Sequence, residues 1–104
     1  MQKRSIEKKI KKIINEWGSF HLGEVEGAEG ICVNQMGGLI AVAEHFDNNS
    51  VEINVYDTHS SNCNEIETYE EYYSDLSKEV LEAILYIAEM WEAESIKTEK
   101  RISD

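Results

Sequence analysis

LIAVAEHFDNNSVEINVYD, residues 39–57, decides the fold class. In residues 51–57 apolar and polar side chains alternate strictly: Val51, Ile53 and Val55 fall on one face, Glu52, Asn54 and Tyr56 on the other. That period of two belongs to a half-buried antiparallel strand. Residues 39–46 are apolar on both faces over most of their length, which predicts a central strand. Asp47, Asn48, Asn49 and Ser50 between them form the clearest turn in the chain, because Asn and Asp tolerate left-handed backbone and cap it locally.

Further strands extend the sheet outward from this pair. Upstream, QMGG (35–38) reads as a tight reversal whose glycines accept positive φ. ICVN (31–34) reads as a strand, EGAEG (26–30) as a loop and FHLGEVE (20–26) as a short edge strand. Downstream, THSSNCN (58–64) reads as a loop and EIETY (65–69) as a last strand.

Helices flank this block on both sides. In residues 5–17, Ile6, Ile10, Ile13, Ile14 and Trp17 form one stripe at the helical period, and Gly18 follows as a stop. Lysines cover the other faces. Such a helix could bind a membrane or an acidic partner, but its stripe passes straight into strand-like sequence, so packing on the chain's own sheet is the expectation. Residues 75–97 form a second helix with Leu76, Val80, Leu81, Ile84, Leu85, Ile87, Ala88 and Trp91 on its apolar side. Ser74 or Ser77 is placed to cap it, and residues 98–104 read as a frayed tail.

Two terminal helices with one apolar stripe each need a common surface. The expected architecture is α+β: a two-layer sandwich with an N-terminal helix, an antiparallel meander of three to five strands and a long C-terminal helix, both helices on one sheet face. A chain of 104 residues with no internal repeat or linker reads as a single domain, 1–104.

The charge is unevenly spread. The formal total is -11, from 21 acidic and 10 basic side chains. Residues 1–12 carry a net +5, and residues 97–104 a net +1. Residues 13–96 hold 18 acids against the single base Lys78, a net of -17. Such a body repels nucleic-acid phosphates and anionic membrane and attracts basic partners; solubility alone also accounts for it. The basic N-terminus lacks the apolar run of a secretory signal, and no stretch approaches a membrane span. Cys32 and Cys63 are too few for a disulfide scaffold, although one bridge between them is arithmetically allowed. A reduced, cytoplasmic protein is the expectation.

Catalytic signatures are sparse. His21, His45, His59, Cys32, Cys63, Asp47 and Asp57 could ligate a metal, but no C-x-x-C, H-E-x-x-H or calcium-loop spacing joins them. Cys32 sits in an apolar strand, where a thiol is usually inert. Ser60 and Ser61 lie near His59 without the spacing of a nucleophile elbow. The glycines fit neither a phosphate loop nor a dinucleotide fingerprint. No metal, no cofactor and no catalytic residue is expected.

The most distinctive run is NEIETYEEYYSD, residues 64–75. Tyrosine supplies large contact area at low entropy cost, and acids around it steer a basic partner. Its candidate binding residues are Glu65, Glu67, Tyr69, Glu70, Glu71, Tyr72 and Tyr73. The plainer reading is an acidic lead-in to the second helix with one or two tyrosines in the core. The leading functional expectation is a non-catalytic module that binds a basic protein. The alternatives are a structural homo-oligomer formed through an open sheet edge or an overhanging second helix with Trp91 exposed, a nucleic-acid mimic occupying a DNA-binding protein, and an enzyme whose site is invisible in sequence.

Overall fold

Local periodicity becomes tertiary structure in a computed structural model that describes residues 2–59, 61 and 64–103. In chain order the elements are α1 (Lys3–Trp17), β1 (Phe20–His21), a short 3-10 turn (Leu22–Glu24), β2 (Ile31–Met36), β3 (Leu39–Phe46), β4 (Ser50–Asp57), β5 (Asn64–Tyr72), a second 3-10 turn (Tyr73–Asp75) and α2 (Lys78–Ser103). All strand pairings are antiparallel. β2 to β5 form a meander. β1 and β2 pair with different stretches of β3, so they lie end to end along one side of it, while β4 and then β5 continue on the other. The fold is the expected α+β arrangement, with both helices packed on the sheet.

The register assigns the faces. Phe46 of β3 pairs with Val51 of β4, and Ala43 with Ile53. These side chains are buried beneath Ile6 and Ile10 of α1 and Leu81 and Ile84 of α2 in one hydrophobic cluster. Their neighbours along each strand, among them Glu52, Asn54 and Tyr56, fall on the opposite face because the strand period is two. At the β2–β3 reversal, Gly37 has φ +60°, and a Cβ on Gly38 would meet the His59 ring at 1.8 Å. Gly37 is favoured by its left-handed backbone, whereas a side chain at Gly38 would have to displace the exposed His59 ring.

The helices run side by side in the same direction. Lys3 at the start of α1 donates from Nζ to the Ser74 carbonyl at 2.8 Å, and Trp17 at its end donates from Nε1 to Glu92 Oε2 at 3.2 Å. Lys9 and Lys12 share a groove with Glu89 and Glu92, so the basic side of α1 offsets the acidic α2. No helix among the described residues is long and apolar enough to cross a membrane.

Several boundaries differ from the sequence expectation, each for a local reason. Strand character in 20–26 stops at His21, because Leu22–Glu24 turn into a 3-10 helix in which the Glu24 carboxylate accepts the His21 N–H. The last strand spans Asn64–Tyr72 and not only 65–69. α2 begins at Lys78 and not at 75, since Tyr73–Asp75 form a 3-10 turn and Ser77 Oγ accepts the Val80 N–H at 3.3 Å; Ser77, and not Ser74, is the cap. The helix continues to Ser103 where a frayed tail was expected. No glycine or proline interrupts 78–103, and Lys97 pairs with Glu94 at 3.8 Å. Ser60 and Cys63 lie outside the described residues, and the Cys32–Cys63 bridge falls there with them.

Candidate functional site

β5 is the last strand of the sheet path, and it carries most of the acidic, tyrosine-bearing run. Alternation divides that run. Glu67, Tyr69 and Glu71 pair with Val55, Ile53 and Val51, so they share the helix-side face. Glu65, Glu70 and Tyr72 pair with Tyr56, Glu52 and Ser50 on the opposite face. The candidate residues therefore form two surfaces, not one.

Tyr73 belongs to neither. It is 0% exposed, its backbone N–H donates to the Asn49 carbonyl at 3.1 Å, and its hydroxyl donates to the Asp47 carbonyl. Both bonds pin the Asp47–Ser50 turn, which is itself closed by the Asp47 N–H on the Ser50 carbonyl at 2.8 Å. Tyr73 is a core residue that fastens a turn, and no partner can touch it at the surface.

On the helix-side face the helices leave part of the sheet bare. Asn34, Met36, Leu39, Ala41, Val55, Glu67 and Tyr69 line a shallow depression there. Met36 is 74%, Leu39 43% and Tyr69 38% exposed. Burial beside the sheet, and then the negative charges of Glu71 and Glu67, hold the Tyr69 phenol above its ordinary pKa; the three side chains are thus electrostatic neighbours. The result is an apolar floor with a carboxylate rim.

The opposite face is polar and internally bonded. Glu44 Oε2 accepts from Asn54 Nδ2 at 2.5 Å and from the Tyr56 hydroxyl at 2.6 Å. Thr68 Oγ1 lies 2.8 Å from Asn54 Oδ1 and 2.6 Å from Glu65 Oε1. Further along, the His21 and His45 rings stack at 4.0 Å, and His45 pairs across the sheet with Glu52. Among the described residues no three His, Cys, Asp or Glu side chains come together as a metal-holding group.

This network makes the fold sensitive to base. Ionising Tyr56 would set its oxygen against Glu44, so the hydrogen bond to Glu44, followed by burial, raises its pKa to about 12. Burial, and then Asp47, pushes Tyr73 up as well. A folded-state pKa above the unfolded value of about 10 gives stability that is complete below pH ~10 and lost as pH rises through the folded value. The urea midpoint should therefore fall between about pH 10 and pH 12, and Tyr56→Phe should flatten that fall. A midpoint constant across the range would contradict the two phenol environments.

The bare apolar patch is the part of the surface that sequence reading missed. Its signal was present in Met36 and Leu39, two large apolar residues flanking the Gly-Gly turn, where a solvent-facing hairpin end would normally be polar. Neither a family model, nor a curated protein sequence, nor a solved structure matches the chain.

Proposed function

We propose that this chain is a non-catalytic interaction module that presents the helix-side face of β5 to a basic protein. One juxtaposition carries the reading: Glu67 and Tyr69 stand beside the exposed Met36 and Leu39 and the half-buried Val55, and Glu71 follows on the same face opposite Val51. An apolar floor gives a partner area to bury, and carboxylates at its rim select lysine and arginine stems that can lie on the floor while their charges reach the rim. Pairing β5 edge to edge with a second copy would set glutamates against glutamates, which is destabilising. The complementary occupant is cationic.

Affinity capture from lysate at about 0.05 M and about 0.5 M salt tests this, because exposed charges are screened more strongly as salt rises. Retained proteins should be rich in Lys and Arg and should elute at the higher salt. Retention that ignores salt, or that takes acidic proteins as readily as basic ones, defeats the reading.

A further inference from the structure

A second surface lies away from β5, where the two helices end unequally. α1 stops at Trp17, while α2 meets it at Glu92 and continues to Ser103. At 1.5 Å per residue that overhang is about 16 Å long. In the angle beneath it, Trp17 and Trp91 stand nearly perpendicular, with an interplanar angle of 78° and centroids 6.3 Å apart.

Both indoles are held in place. Trp91 stacks on Phe20 at 5.1 Å with a 19° tilt, and its Nε1–H donates to Glu24 Oε2 at 2.9 Å. The Trp17 Nε1–H donates to Glu92 Oε2 at 3.2 Å. The cleft they wall measures about 480 Å³ and is completed by Glu24, Glu94, Ser95, Thr98 and Glu99. None of these described lining residues is Lys, Arg or His, and Lys97 pairs with Glu94 at 3.8 Å from just outside them. The Thr98 hydroxyl turns back to the Glu94 carbonyl at 3.1 Å.

This combination selects a narrow ligand chemistry. Carboxylates at the rim repel anions. A small hard cation keeps its water and gains nothing from indole walls. A cation whose charge is spread over alkyl groups is weakly hydrated, and it is attracted by the negative faces of aromatic rings. The volume falls in the range of small-molecule sites. We propose that the Trp17–Trp91 cleft binds an alkylated ammonium group, carried either by a free small molecule such as choline or by a methylated lysine side chain. The inference is independent of the β5 surface.

The chain's only two tryptophans are Trp17 and Trp91, so all of its indole emission reports on this cleft. Choline titrated into the intact protein should give a saturable emission change. The neutral isostere 3,3-dimethylbutan-1-ol should bind about tenfold more weakly or worse, and potassium chloride at matched ionic strength should give no saturable change. Trp17→Leu, checked for folding by circular dichroism, should weaken choline binding about 5- to 30-fold, read from Trp91. N-acetyl-trimethyllysine methylamide beside choline identifies the source: tighter binding of the lysine derivative points to a modified protein, tighter choline to a free ligand. No saturation by either cation up to about 20 mM overturns the proposal. So does equal binding of the neutral isostere, which needs no variant to measure.

Discussion

Phe20→Ala should lower the unfolding free energy by about 3–5 kcal/mol. Phe20 is 0% exposed, although it sits in a strand only two residues long. Its ring lies 4.9 Å from Phe46 on β3 and 5.1 Å from Trp91 on α2. It therefore ties the sheet to the second helix. Truncation removes the buried ring and leaves a cavity whose walls belong to different elements and cannot collapse together. Domains of this size are stable by about 5–15 kcal/mol, so the loss is a large fraction of the total. The melting temperature should drop by about 4–8 °C for each kcal/mol. Trp91 loses its stacking partner in the same variant, so the native emission should shift to the red. Tyr86→Ala serves as the contrast: at 65% exposure it should stay within about 0.5 kcal/mol of the parent. A urea-derived loss under about 1 kcal/mol for Phe20→Ala would show that the ring is not holding the layers together.

The second large effect is on binding. Glu67→Lys with Glu71→Lys, on the helix-side face, should slow association with a captured basic partner about tenfold or more. Glu65→Lys with Glu70→Lys, on the opposite face, should retain most of the rate. Both double variants change the formal charge from -11 to -7, so the long-range field is altered equally and only the facing differs. In the first pair a new lysine meets the partner's own cations at the contact, where like-charge juxtaposition costs several kcal/mol. Stopped-flow or surface-based rates at two ionic strengths read the difference. Equal slowing by both pairs would assign the attraction to the overall field and not to this face. No slowing by either would place the partner elsewhere.

Much of the fold is legible in local periodicity. Val51, Ile53 and Val55 against Glu52, Asn54 and Tyr56 set the faces of β4, and the stripe from Leu81 to Trp91 sets the buried side of α2. β5 was only half legible. Its glutamates have low strand preference, and no apolar alternation marks Asn64–Tyr72 as one strand, so the run read as a single acidic surface. Once the strand is continuous, its period of two divides the same residues between two faces. That one or two of the tyrosines enter the core was legible, but which of them was not: the 3-10 turn at Tyr73–Asp75 swings Tyr73 under the Asp47–Ser50 turn.

The sequence by itself determined the elements, their order and the buried side of most of them, because hydrophobic periods of 2 and 3.6 residues are read over a few neighbours. Only the tertiary structure decided which surface stays bare and where the tryptophans meet. Trp17 and Trp91 come together because two helices lie side by side in one direction and end at different points. The patch at Met36 and Leu39 is exposed because the helices do not extend over that end of the β2–β3 hairpin. Both outcomes are set by the relative lengths and offsets of packed elements, and no local window of sequence carries that information.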